Sequence, residues 1–435
     1  MIPPGSPDSL ALREHAAFGP PLCADGSHLR RRLFPLLATV VLIVVAMSSA
    51  VWFGPGLAGS TGWALPDDLW GTLIAAQRMV HLDLSGLYTQ PTGLISLPGT
   101  ALILVPVVAI IDAAGISLRQ PTVQYSHPAA WLLAGPYEIA LSAVVLFAAD
   151  AIAEHLGVTR PWRALLATAE AVALWSVSAR WGHPEDAVAV GLLLYAILAL
   201  SRSRAGQSGW LIGAAVAVQP LALLAVPVIA AAVQPRRLPG FLARAAAPAA
   251  LLLGAAAWAN WGATVSAVTR QPNSAPVNHL TPWTSLSPHL GGGMVAGGPG
   301  RVLAIVAACC CAVIAGRQWQ AARRGSPWAP QVLEDVLWWT AVALALRSVF
   351  ESVMVTYYIW PVLAVALLAA LRDWPRLVAT SAATSVLTFV SQASWHSAWS
   401  WWLPMVAGLG VTLVLARVKV EDLWQRTTGR TPAPS

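Results

Sequence analysis

Residues 178 to 204 read SARWGHPEDAVAVGLLLYAILALSRSR, and that stretch decides the fold. A polar turn, Trp181-Gly182-His183-Pro184-Glu185-Asp186, opens into an apolar run from about Ala187 to Leu200, which closes on Arg202 and Arg204. The pattern is polar cluster, apolar run, basic loop, and it fits a helix crossing a bilayer, which needs roughly 20 apolar residues. Similar runs are centred on Val40–Ala50, Leu141–Ile152, Val302–Ala315, Leu363–Leu371 and Met405–Ala416. Of 435 residues, 57% are hydrophobic and 10% charged. A soluble domain carries about 25% charged residues, so a water-soluble globule is excluded. Helices satisfy their own backbone in lipid, and the chain has no long alternation that would suit a barrel. The expected class is all-α, a polytopic integral membrane protein.

The formal charge of +7 raises the question of nucleic acid. The arginines answer it, because they cluster at the ends of apolar runs: Arg30–Arg32, Arg202/Arg204, Arg236-Arg237, Arg323-Arg324 and Arg372/Arg376. That is the signature of cytoplasmic loops, and it gives a membrane partner and no nucleic acid. Cys309-Cys310-Cys311 sit in an apolar run, where neighbouring side chains diverge, and Cys23 is isolated, so no disulfide framework is implied. No Ala-x-Ala-like signal follows the first apolar run, which reads as a retained span.

Charge parity then orders the chain. Residues 1–29 read as a disordered cytoplasmic tail, 30–417 as a single transmembrane domain, and 418–435 as a second cytoplasmic tail, in a multi-pass protein of the cell membrane. External loops are expected at 54–93, with short surface helices, and at 260–300. Two segments have both flanks on one side and read as broken or re-entrant. Leu94–Ile111 carries Pro98-Gly99 and Pro106, and Trp210–Val233 carries Gln219-Pro220 at its centre. A proline interrupts a helix, and a polar residue at the break is tolerated where protein or water surrounds it. The count is about ten full spans plus these two segments. No internal repeat stands out.

With that topology the chemistry-capable side chains gather on the outer face, while the inner face carries mostly arginine anchors. Asp67-Asp68 follow Pro66 in the first external loop, with His81 and Asp83 after them. A carboxylate at the membrane surface can take a proton from a sugar hydroxyl or hold a divalent cation, and it can equally cap the next helix. His183, Glu185 and Asp186 form the densest ionisable cluster. Proline and acids in a first turn suit a helix start, which explains the acids but neither His183 nor Arg180. Arg347 and Glu351 lie four apart, so they share a helix face, next to Tyr357-Tyr358 and Trp360. That arrangement suits a tether at a span end, or a grip on a lipid phosphate. His279, His289 and His396 are scattered over outer loops. Trp395, Trp399, Trp401 and Trp402 read as an interfacial aromatic belt. Glu138 and Glu170 lie inside apolar runs, where an acid is costly and needs a partner or a role.

The acidic loop after a first span, the Pro-interrupted segments and the broken pair ending in a basic loop resemble the GT-C superfamily of membrane glycosyltransferases. Within it the layout is similar to actinobacterial polyprenyl-phosphate-mannose-dependent mannosyltransferases. The resemblance implies that Asp67 or Asp68 is the catalytic base. Gly213-Ala214-Ala215…Gln219-Pro220 is similar to a stretch that often carries Lys-Pro, with Gln219 here in place of the lysine, and no clear Asp-x-Asp motif stands in the first loop. The implied activity moves a sugar, mannose or arabinose, from a polyprenyl-phosphate donor to a lipid or glycan acceptor of the cell envelope; no cofactor is expected other than a divalent cation, whose requirement the sequence leaves open. Substrate contacts would come from Arg180, His183, Glu185, Asp186, Arg347, Glu351, Tyr357 and Tyr358. The rival reading is a transporter or flippase for a lipid-linked envelope precursor, since broken helices also mark transporters. A third is a non-catalytic scaffold.

Overall fold

The computed structural model describes residues 31–53, 67–89, 94–118, 130–275, 278–322, 328, 330–393 and 399–418, excluding the side chains at 49–53, 67, 68 and 320–322. His396 and Trp395 lie outside the described residues. The chain divides into two compact units, Met1–Leu33 and Phe34–Ser435. The helices belong to the second unit, the first of them beginning at the boundary residue. They are α1 (Leu33–Phe53), α2 (Asp67–Val80), α3 (Pro98–Leu102), α4 (Val105–Ala113), α5 (Trp131–Ser142), α6 (Val144–His155), α7 (Arg160–Trp175), α8 (Pro184–Ser201) and α9 (Ala205–Val218). They continue with α10 (Val226–Ala231), α11 (Leu238–Ala259), α12 (Trp261–Arg270), α13 (Pro299–Ala322), α14 (Pro330–Phe350), α15 (Trp360–Ala369), α16 (Trp374–Val390) and α17 (Trp402–Arg417). Two-residue strands pair β1 (Asn273–Ser274) with β3 (Met294–Val295), and β2 (His279–Leu280) with β4 (Val353–Met354).

The helical class is the expected one. Among the described residues four stretches are long and apolar enough to cross a membrane: Trp131–His155, Pro184–Ser201, Pro235–Ala259 and Pro299–Trp319. Five more apolar helices are shorter. A helix that is apolar all round must be covered, either by protein or by lipid. α8 and α15 take the first course: α8 packs against α6, α9 and α15, and every residue of α15 is buried. α11 and α13 take the second, with Trp258 94%, Leu251 69% and Val302 63% exposed. Apolar surface of that extent is what a bilayer covers.

The two interrupted segments expected from sequence meet each other. In the first, the prolines begin helices instead of breaking them: Pro98 opens α3 and Pro106 stands in the first turn of α4, and the break falls at Ile103-Leu104. In the second, α9 ends at Val218, and a tight turn of helix over Pro220–Ala225 leads into α10. The last carbonyls of a helix need outside partners, and Thr100 Oγ1 donates to Val218 O at 2.5 Å. The approach requires glycine at 99, because a Cβ there would fall on the Ala217 carbonyl. Gly99→Val should destabilise the protein by about 1–3 kcal/mol, the usual range for overpacking, and Gly99→Ala by less. Thermal unfolding in detergent checks both.

Opposite charges tie the far end of the bundle. Glu334 of α14 lies 3.5 Å from Arg372 and 3.7 Å from Arg376, and Asp335 lies 2.7 Å from Arg417. That end therefore holds acids as well as arginine anchors. Arg163 of α7 makes a buried two-pronged pair with Asp150 of α6, both contacts at 2.7 Å. The belt reading fails for two tryptophans. Trp401 is buried, donates to Ser391 O at 2.9 Å and stacks on His279 at 4.2 Å, and Trp402 donates to Ser348 O at 3.0 Å. Trp399 keeps substantial exposure.

Candidate active site

The site begins with a turn. The π-helical segment Ser176–Arg180 ends α7, and π-bulges recur at functional positions. Gly182 follows at φ +63°, a left-handed conformation that L side chains rarely adopt. Pro184 then opens α8, with Glu185 and Asp186 in its first turn, where acids complement the helix dipole. The turn aims His183 at Tyr357, and their rings stack at 4.0 Å. His183 Nδ1 is 2.6 Å from Glu185 Oε1. Against an ionised carboxylate, which only accepts, Nδ1 would be the protonated nitrogen of that pair.

Asp186 lies one layer deeper and is fully buried; Gln219 Nε2 donates to its Oδ1 at 2.6 Å, while Oδ2 has no hydrogen-bond partner. Gln219 is thus the polar residue of the helix break, and the reason for its polarity is Asp186. Glu138 of α5 is buried nearby, within electrostatic reach of Glu185 and His183. Glu170, also buried, has neither carboxylate oxygen hydrogen-bonded.

The opposite wall comes from the end of α14. Arg347 stands in its last turn, where a cation suits the dipole. Its guanidinium lies 3.6 Å over the Tyr358 ring, and Nε is 3.8 Å from Glu351 Oε2. Arg347 Nη1 is buried with no hydrogen-bond partner. Glu351 has a nearer cation, because Arg301 Nε donates to its Oε1 at 3.0 Å. Arg301 Nη1 also donates to Gln271 Oε1. Gln271, at the end of α12, holds a left-handed φ of +33°, which is strained for a residue with a side chain.

Arg301 reaches the site because the 260–300 loop clamps the end of α14. Thr281 Oγ1 donates to Glu351 O at 2.8 Å, Thr284 Oγ1 to Ser352 O at 2.6 Å, and Trp283 Nε1 to Val349 O at 2.8 Å. Val349 O is one of the carbonyls a helix end leaves open, and Glu351 and Ser352 follow directly after the helix. His279 belongs to the same clamp through β2, and the loop returns into α13 with Arg301 just inside its start.

These walls enclose a cavity of about 270 Å³. His183, Glu185, Arg301, Arg347, Glu351, Tyr357 and Tyr358 line it, with Gln219, Gln271 and Asn273. Leu221, Leu223 and Leu224 from the turn after the break give it an apolar flank, and Thr72 of α2 adds to the wall. α2 is the helix that Asp67 and Asp68 open; their side chains lie outside the described residues. Of the site residues expected from sequence, the structure gathers His183, Glu185, Arg347, Glu351, Tyr357 and Tyr358, with Asp186 just behind. Arg180 does not line this cavity. It lines a second one, beyond Trp181.

Sequence reasoning missed Arg301, Gln271, Asn273 and Thr72. One signal existed: an arginine at a helix start opposes the dipole, so it needed a carboxylate elsewhere. Asp83 and His81 are explained locally. Asp83 accepts from Ser85 Oγ at 2.8 Å and from the Gly86 N–H at 3.0 Å, which hold its carboxyl below the usual range, and His81 pairs with Asp112 at 3.0 Å. Among the described residues no group of three or more His, Cys, Asp or Glu is arranged to hold a metal ion. No protein-family model matches the chain, and no curated protein matches it.

Proposed function

We propose that this chain is a membrane glycosyltransferase that moves a sugar from a polyprenyl-phosphate donor to a cell-envelope glycan or glycolipid. The observation carrying the proposal is the cavity itself. Two guanidinium groups, Arg301 and Arg347, face a space with an apolar flank, and Arg347 Nη1 has a donor to spare. Arginine forks suit phosphate oxygens, and the leucines after Pro220 suit the first units of an isoprenoid tail. The leaving polyprenyl phosphate departs as an anion that needs no proton, so a cationic cradle and one base suffice. The base is Asp67 or Asp68; Thr72, about one helical turn after Asp68, supports that assignment by lining the cavity. His183, fixed by Glu185 and Tyr357, orients the sugar or the acceptor hydroxyl. On this reading the cavity end faces outward, both termini are cytoplasmic, and the chain crosses the membrane about ten times.

The test uses full-length protein in proteoliposomes with synthetic polyprenyl-phosphate mannose and polyprenyl-phosphate arabinose, a glycolipid acceptor and mass spectrometry of the products. The expected result is acceptor enlarged by one sugar and free polyprenyl phosphate. Arg347→Gln should lower kcat/KM by about ten- to hundred-fold, since a hydrogen bond to a charged group is removed.

One observation favours the rival. Two interrupted segments meet at Gly99 and Ala217, and paired broken helices suit a transporter of lipid-linked precursors. Recovery of the donor chemically unaltered on the other side of the vesicle would decide for it.

A further inference from the structure

A second cavity, of about 730 Å³, lies between α1, α7 and α16. Its walls are apolar along most of their length, with residues such as Leu37, Val41, Ala171 and Trp175. On α7 this apolar lining runs from Ala164 to Trp175. Eleven residues at about 1.5 Å each give roughly 16 Å, close to half of a hydrocarbon core about 30 Å thick. Apart from Thr168, whose hydroxyl donates to Ala164 O at 2.9 Å within its own helix, the polar lining collects beyond Trp175: Ser176 and Arg180 from the π-helical segment, and Thr388 and Gln392 from the end of α16. Thr388 is 5% exposed, and its hydroxyl oxygen is buried with no hydrogen-bond partner.

The shape is that of one leaflet's acyl chain, with one cation and several neutral polar groups at head-group level. A single positive charge matches a singly charged phosphodiester. We propose that this groove binds one anionic glycerophospholipid of the surrounding bilayer, one of its two acyl chains along α7 and its phosphate at Arg180. Trp181 is the partition between this site and the first cavity. Its Nε1 lies 3.4 Å from Gln392 Oε1 on one side, and its ring is 6.0 Å from Tyr357 on the other. A lipid bound at Arg180 therefore steadies the wall against which His183 stacks. Such binding is independent of the glycosyltransferase reading, since it needs only a bilayer.

The experiment takes full-length protein in detergent, adds equal amounts of phosphatidylglycerol and phosphatidylcholine, and measures retained lipid by native mass spectrometry. The wild type should keep one phosphatidylglycerol in preference to phosphatidylcholine. Arg180→Gln should weaken that preference about ten-fold, and Arg180→Lys should keep most of it. Ala171→Trp, which fills the groove, should lower retention of the lipid, with size-exclusion chromatography confirming a folded protein. Arg347→Gln, at the other cavity, should leave the preference intact. Equal retention of the two lipids by the wild type would overturn the proposal. So would a preference that survives Arg180→Gln, or one that disappears only in Arg347→Gln. Polyprenyl phosphate displacing phosphatidylglycerol at equal concentration would assign the groove to the isoprenoid lipid instead and would also overturn it.

Discussion

Replacing the carboxylate proposed as the base by its amide should cut the proposed sugar transfer by about 10²- to 10⁴-fold, the usual contribution of a general base. The variants are Asp67→Asn and Asp68→Asn, assayed with the synthetic donors, and the expected loss falls on one of the two. Asparagine keeps the shape and the helix-capping ability of aspartate, so the change removes the proton acceptor and little else. α2 begins at Asp67, so both positions lie in its first turn. A first-turn carboxylate is favoured in its ionised form by the helix dipole. Donor binding should be nearly unchanged, because the two arginines proposed to hold the phosphate, Arg301 and Arg347, lie on α13 and α14. Full turnover in both variants would move the base to another carboxylate, and Glu185 would be the next candidate because it already lines the cavity.

Glu351→Gln is expected to destabilise the fold by about 3–5 kcal/mol, the cost of removing one partner from a buried ion pair. The Glu351 side chain is 5% exposed, between Arg301 at 32% and Arg347 at 15%. Without the carboxylate, two guanidinium groups would share a poorly hydrated space and repel each other. Thermal unfolding in detergent measures the loss. A double-mutant cycle supplies the sharper check: Glu351→Gln with Arg301→Gln should cost less than the sum of the single changes, because the second substitution removes the stranded charge. Additive losses would mean that the 3.0 Å contact carries no coupling.

The candidate site was legible in the sequence where charge interrupts apolar runs. Trp181–Asp186 stands out because its His, Glu and Asp fall together between two apolar runs, and Arg347 with Glu351 stands out through helical spacing. Both reach the cavity. What sequence could not give was the partner across distance. Arg301 and Glu351 are fifty residues apart, at the start of α13 and just past the end of α14, and the loop before α13 holds on to that end through Thr281, Thr284 and Trp283. Gln219 read as a tolerated polar residue at a break, and its partner Asp186 is what makes it necessary. Trp401 and Trp402 show the converse error. Tryptophan near a span end suggests an interface, yet an indole N–H can instead satisfy a buried carbonyl, and here Ser391 and Ser348 supply those carbonyls. The prolines misled by location only: they mark the breaks, but each lies in a first helical turn, where its missing N–H costs nothing.

α15, ten residues long and buried along its whole length, bears on how this chain is made. At about 15 Å it is too short to traverse the membrane alone, and its aliphatic surface faces only its own neighbours. The insertion machinery reads segments one by one as they emerge, and this one follows α6, α7, α8 and α14 in synthesis. Those earlier helices form one side of the slot it enters, and α16 and α17, made afterwards, close the other. Late damage to the slot should therefore leave the segment stranded during biogenesis, even where every individual helix inserts normally.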